Sequence, residues 1–126
     1  MFKILLVEDN VLNQKVVSFH LKKMNYEIQC VGNWKEAMEA IKNNPPDLIL
    51  MDIMLPEKNG FEITAEIREY EKSVDKKYVL PIIALTANTL DNDKEKCIEA
   101  GMNDYLPKPF TPNELNDIIE QYLVRN

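Results

Sequence analysis

The sequence predicts an α/β protein: an open, doubly wound parallel sheet with helices on both faces. Three observations predict it. Strand-like and helix-like stretches alternate five times along 126 residues. The strand-like stretches 4–7, 48–51 and 82–85 are unbroken apolar runs, as expected of strands covered on both sides. Each is followed by a segment long enough for a crossover helix, which joins parallel neighbours.

The elements follow in order. Residues 3–7 read as a strand. Residues 10–24 read as a helix with Asn13, Val16, Val17, His20, Leu21 and Met24 on one face, at helical spacing. Asp9 or Asn10 can cap it. Residues 27–31 form the second strand. Asn33-Trp34-Lys35-Glu36 has the form of an N-cap followed three residues later by glutamate, and opens a helix to about Asn43. Pro45-Pro46 ends it. Residues 47–51 form the third strand, and 56–60 a loop. A helix from Phe61 to about Lys72 carries Phe61, Ile63, Ala65 and Ile67. A polar connection, 73–78, leads to the fourth strand at 81–85. Residues 91–100 form a polar helix stopped by Gly101. A short strand near 104–106 follows. Thr111-Pro112-Asn113-Glu114 is a capping box with proline at the first helical position, and that helix runs to about Val124. No repeat or linker interrupts the series, so residues 1–126 read as a single domain with one core.

Composition narrows the function. Fifteen Lys and Arg against 21 Asp and Glu give a net charge of −6. That balance disfavours nucleic acid and anionic membrane as direct partners. No apolar stretch approaches the ~18 residues a membrane span needs, and Met1-Phe2-Lys3 runs straight into a strand, without a signal-peptide layout. Cys30 and Cys97 lack CxxC spacing. They suit a reducing cytoplasm, as small core or half-buried side chains rather than a disulfide.

The chemistry lies where strands end. Asp52 closes a run that excludes charge, because an unpaired carboxylate in apolar surroundings is costly. Glu8-Asp9 closes the first strand, Thr86 the fourth, and Lys108 follows the fifth. Open α/β sheets bind ligands beyond the carboxyl ends of their strands. If the first and third strands are neighbours, Glu8, Asp9 and Asp52 converge. Converging anions repel and raise one another's pKa values. A hard divalent cation, Mg²⁺, resolves the conflict with oxygen ligands, and the Met54 carbonyl can add a neutral one. An aspartate can also accept a phosphoryl group as a covalent acyl phosphate. Asp52 is the nucleophile candidate, Lys108 a point charge for phosphoryl oxygens, and Thr86 a hydroxyl donor.

These motifs resemble the receiver domain of two-component response regulators. The resemblance rests on Leu6-Val7-Glu8-Asp9-Asn10, Met51-Asp52-Ile53-Met54-Leu55-Pro56 with Gly60, Ala84-Leu85-Thr86-Ala87, and Tyr105-Leu106-Pro107-Lys108-Pro109-Phe110. It covers essentially the whole chain. It implies a flavodoxin-like (βα)5 fold of strand order 2-1-3-4-5. It implies phosphorylation of Asp52 from a phosphohistidine, with Mg²⁺ held by Glu8, Asp9, Asp52 and the Met54 carbonyl. Thr86 and Lys108 would contact the phosphoryl group, Tyr105 would be the aromatic switch, and Lys108-Pro109 a cis peptide. The implied partners are a histidine kinase or a histidine phosphotransfer protein. The implied oligomeric state is a monomer, or a weak dimer through the fourth helix, fifth strand and fifth helix. The Glu8 and Thr86 motifs look most like receivers attached to hybrid histidine kinases. A stand-alone regulator and a piece of a larger kinase both fit.

Two departures stand out. Trp34 occupies a place where receivers usually carry glycine. Met54 cannot orient water, whereas Asn88 can, so a fairly long-lived phosphoryl group is expected. The plainer alternatives are that Glu8-Asp9 only caps a helix, that Tyr105 is a half-buried strand residue, that Pro109 marks a turn, and that His20 and Trp34 are packing residues. The rival functions are a haloacid-dehalogenase-type aspartyl-phosphate phosphatase, a flavin carrier and a phosphorylation-independent interaction domain. The phosphatase needs a second aspartate where Met54 stands. The flavin carrier needs a phosphate loop where Glu8-Asp9 stand.

Overall fold

In the computed structural model, residues 1–74, 79–86 and 93–123 are described. The elements are β1 (Lys3–Val7), α1 (Val11–Lys23), β2 (Glu27–Val31), α2 (Trp34–Asn43), β3 (Leu48–Asp52), α3 (Gly60–Ser73), β4 (Ile82–Thr86), α4 (Asp93–Ala100), β5 (Asp104–Pro107) and α5 (Pro112–Tyr122). The strands form one sheet in the order β2-β1-β3-β4-β5, every pair parallel. The predicted order therefore stands. It places β1 beside β3, with Val7 opposite Met51.

Alternation within the strands builds two cores. Leu5, Val7, Ile49, Met51, Ile82 and Ala84 face one side and pack with Ala37, Ile41, Ile63, Ile67 and Cys97 of α2, α3 and α4. Ile4, Leu6, Leu48, Leu50, Ile83 and Leu85 face the other and meet Val17, Leu21, Leu115, Ile118 and Ile119 of α1 and α5. Each inward strand side chain contributes roughly 1.5–3 kcal/mol by leaving water.

Local signals set the helix ends. Asn10, not Asp9, caps α1, its side chain accepting from the Asn13 amide. Thr111 and Glu114 form the expected box on α5. At α2 the box is half made: Asn33 accepts from the Glu36 amide, but Glu36 accepts from the amide of Gly32 instead of Asn33. A reciprocal box that the sequence reading passed over, Asn59 with Glu62, opens α3. Gly101 ends α4 at φ +104°, with Met102 N–H bonded to Cys97 and Gly101 N–H to Ile98, the double bond of a Schellman cap.

Two surface expectations change. Val16 is exposed, because the buried face of α1 narrows to Val17 and Leu21. Cys30 is also exposed, because it lies on β2, an edge strand, while Cys97 is buried and both are free. Trp34 does not break the turn before α2, which starts at that residue. No described helix is long and apolar enough to cross a membrane.

Away from the strand ends, Arg68 ties α3 to its neighbours. It donates to the carbonyls of Gly101 and Leu80, to Glu71 and to the side-chain oxygen of Asn103. Glu71 in turn accepts from the Leu80 amide.

Gly60 is required by a close approach. A Cβ there would lie 2.6 Å from the Asp52 carbonyl oxygen and 2.9 Å from Ile53 Cα, both backbone atoms. Gly60→Ala should therefore destabilise the fold by about 3 kcal/mol, read by urea denaturation. An unchanged midpoint would show that the backbone yields at this point.

Candidate functional site

The β1–β3 pairing brings Glu8 and Asp9, just past β1, against Asp52 at the end of β3. One carboxylate oxygen from each lies within 4.8 Å of the others. Glu8 and Asp52 are buried, and Asp9 is exposed. The strands deliver these charges because their apolar side chains fill both cores up to the last residue. The polar residues begin where the helices no longer cover the sheet. Asp52 belongs to the strand itself, one residue later than expected, and pairs with Leu85.

Each acid is held locally. The Glu8 amide donates to Val31 at 3.0 Å, so the ladder continues past β1. The Gln14 side chain donates to the Glu8 carbonyl at 2.5 Å. The Met54 amide donates to Asp52 Oδ1 at 3.2 Å. The side chain of Met54 points into solvent and is 76% exposed. Asn88 and Ala87 lie outside the described residues.

Lys108 reaches the same place from β5, its Nζ 3.5 Å from Glu8 Oε1. The Lys108 amide donates to the Thr86 carbonyl at 2.7 Å, and the Lys108–Pro109 peptide is cis. Thr86 closes β4 and is buried. Tyr105 sits opposite Ala84 and is half-buried on the α2–α3–α4 core. All of the strand-end residues singled out in the sequence thus gather at one end of the sheet. His20 lies on the wall of a cleft of about 280 Å³ beside the acids, with Val16, Val17, Leu85 and Phe110.

The electrostatics reflect crowding. Burial first, then the hydrogen bond shared with Glu8 and the charge of Glu8, push the Asp52 carboxyl up to about 7, against the pull of Lys108 and the Met54 amide. Burial raises Glu8 as well. The hydrogen bond with Asp52, the Lys108 charge and the Asn10 amide outweigh it and leave Glu8 below its usual value. Of the two, Asp52 is therefore the group that holds a proton more tightly.

Comparison with known proteins agrees with this geometry. The family profile described as "Response regulator receiver domain" matches residues 4–120. Hybrid signal transduction histidine kinase B of Dictyostelium discoideum is 46% identical over 96% of this chain, and kinase K of the same organism is 36% identical over 94%. The chain spans only 7% and 10% of those two proteins. Among solved structures, the receiver domain of the sensor histidine kinase PA1611 from Pseudomonas aeruginosa PAO1 is 43% identical with a TM-score of 0.84. The match covers 96% of each chain, and that structure has a magnesium ion coordinated in its active-site cleft. The receiver domain of the response regulator Ssk1 of Saccharomyces cerevisiae, crystallised with the histidine phosphotransfer protein Ypd1, is 35% identical at a TM-score of 0.86, over 96% of this chain and 88% of that one.

A sheet of this order with acids, a hydroxyl and a lysine at its carboxyl end defines a phosphorelay receiver. This chain belongs to the response regulator receiver domain family. The dehalogenase-type and flavin-carrier readings give way to that membership.

The shifted Asp52 carboxyl has a consequence for stability. In the metal-free protein Asp52 binds its proton more tightly folded than unfolded, since its ordinary value is 3.8. Asp52's contribution to stability is therefore greatest below that value and falls as pH rises toward 7, while Glu8, held low, contributes in the opposite sense. Asp52→Asn should remove this slope and exceed metal-free wild type by on the order of 2 kcal/mol at pH 8, with a smaller gap at pH 5. Urea denaturation in EDTA at both pH values measures it.

Proposed function

We propose that this chain, as one receiver unit over residues 1–126, accepts a phosphoryl group from a phosphohistidine onto Asp52 in a Mg²⁺-dependent reaction. The observation that carries this is the convergence of three carboxylates beside Lys108. The donor set fits the cation: all ligands are hard oxygens, and the crowding that holds a proton on Asp52 is relieved when a divalent charge arrives. Glu8, Asp9, Asp52 and the Met54 carbonyl are its ligands in this reading. The ion supplies charge neutralisation at the phosphoryl oxygens.

Asp52 attacks phosphorus through a carboxylate oxygen. An O–P bond forms, the P–N bond to the donor imidazole breaks, and that nitrogen keeps the electron pair and is reprotonated. Lys108 leaves its long contact with Glu8 for a phosphoryl oxygen, and the Thr86 hydroxyl donates to another. As Thr86 turns inward, Tyr105 rotates from its half-buried position, and the surface of α4, β5 and α5 changes shape. Exposed Ile98 on α4 lies on the face read as the site of output contact or weak dimerisation. The domain's own chemistry is limited to this self-catalysed transfer and the later hydrolysis. Its free cysteines and the absence of a membrane-length helix among the described residues accord with a cytoplasmic location.

The phosphodonor is read as a helical histidine phosphotransfer protein or a histidine kinase. Helix α1 supports this. Leu12 and Phe19 are 68% and 55% exposed, Val11 and Val16 are also exposed, and the helix carries Lys15, Lys22 and Lys23 but no acid. Leu12, Val16 and Phe19 recur at helical spacing on the face turned away from the core, which suits a partner helix.

Intact mass after incubation with acetyl phosphate tests the chemistry. One phosphoryl adduct should form only with Mg²⁺, be labile to hydroxylamine and be absent from Asp52→Asn. An adduct on the variant would place the acceptor elsewhere. Docking is tested separately. Phe19→Asp should slow transfer from a phosphorylated histidine phosphotransfer protein by about tenfold or more and leave acetyl phosphate labelling unchanged; equal transfer rates would move the docking face off α1.

A further inference from the structure

Trp34, the residue that departs from the receiver pattern, makes a closed contact with two others. Its indole Nε1–H donates to Glu66 Oε2 on α3. Lys58, in the loop between β3 and α3, lies with Nζ 4.1 Å from the centre of the Trp34 ring and 3.4 Å from Glu66 Oε1. Glu66 thus spends one oxygen on each partner, and Lys58 is fixed by a ring face and a carboxylate together. A single exposed ion pair contributes little. A closed triangle of ion pair, hydrogen bond and cation–π contact holds a geometry better, because no member can rotate away without losing two contacts.

The three residues bridge the two halves of the acidic cluster. One half is Glu8-Asp9. The turn before Trp34 adjoins it: the Glu8 amide donates to the carbonyl of Val31, the residue before Gly32, at 3.0 Å. That turn is itself fixed by the Gly32 amide bonded to Glu36 and by the Asn33 cap. The other half is Asp52 and the loop after it, which carries Met54. The Ile53 amide still reaches the Leu85 carbonyl on β4, and beyond it the loop's backbone bonds are short-range: Leu55 to Ile53, Lys58 to Pro56 and Gly60 to Ile53. Glu57 takes the left-handed conformation at φ +65°. Leu55 packs on the core, and Lys58 supplies the loop's charged tether. No member of the triangle touches the cluster itself.

We propose that Trp34, Lys58 and Glu66 form a brace that holds the loop carrying Met54 in place beside the Glu8, Asp9 and Asp52 carboxylates. They are positioning residues for Mg²⁺ binding. The inference rests on the reading of Glu8, Asp9 and Asp52 as the cation ligands. A loop free of its tether samples more positions, and fewer of them leave the Met54 carbonyl near the Glu8, Asp9 and Asp52 carboxylates. Trp34 is the chain's single tryptophan, so its emission reports the brace directly.

Isothermal titration with Mg²⁺ at fixed ionic strength tests it, on wild type, Lys58→Met, Glu66→Gln, Lys58→Arg and Lys42→Met. Lys58→Met and Glu66→Gln should each weaken Mg²⁺ binding by about three- to tenfold with thermal midpoints near wild type. Lys58→Arg, which keeps a cation over the ring, should recover most of the affinity. Lys42→Met removes the neighbouring cation over Tyr70, 5.5 Å from its ring, and should change nothing. Trp34 emission should shift on Mg²⁺ addition in wild type and not in Lys58→Met. Wild-type affinity in both Lys58→Met and Glu66→Gln would overturn the brace while leaving the cation site standing. Absence of Mg²⁺ binding by wild type would overturn the cation site, and the brace with it.

Discussion

Glu8 and Asp52 leave adjacent strands at the same level of the sheet, and neither has water enough to dilute its charge. Their mutual repulsion, set up by the β1–β3 pairing, organises the rest of this end of the molecule. It raises the Asp52 carboxyl and makes the pocket, with Lys108 beside Glu8, a match for a divalent cation. The cost of crowding is borne by the apolar cores beneath, which pack the strand residues up to the last position on both faces. A sheet with a different strand order would separate Glu8 from Asp52.

The same arrangement separates the two faces of the sheet. Helix α1, with exposed Leu12 and Phe19, covers one face, and Tyr105 and α4 lie on the other. The change proposed at Thr86 and Lys108 reaches β5 at the sheet's edge. Trp34 and Lys58 belong to the supporting layer around the cluster rather than to either face.

The fold was largely legible in the sequence, because a parallel sheet imposes a pattern that few other architectures share. Unbroken apolar runs marked β1, β3 and β4, and Thr111 with Glu114 marked the start of α5. Asn59 with Glu62 is as plain a signal at α3, although Gly60, between Asn59 and Phe61, reads as loop. The strand-end residues were legible too, since charge at the end of an apolar run demands a reason. What the sequence hid depends on distance across the fold. The exposure of Cys30 follows from β2 being an edge strand. Val16 has the spacing of a buried residue and the surroundings of an exposed one. Glu36 turns to Gly32 rather than to its own cap. The contact of Lys58 with Trp34 joins positions that no periodicity links.

The distance between Glu8 and Lys108, 100 residues along the chain, has a kinetic meaning. Parallel pairing gives no local route to this pocket: β1 must wait for β3, and the lysine arrives only after β5 is in place. Closing so long a span costs entropy that only the completed sheet recovers. A partly synthesised or truncated chain therefore presents two adjacent acids and an aspartate without their countercharge. The complete pocket is something the chain acquires last, when almost all of it has folded.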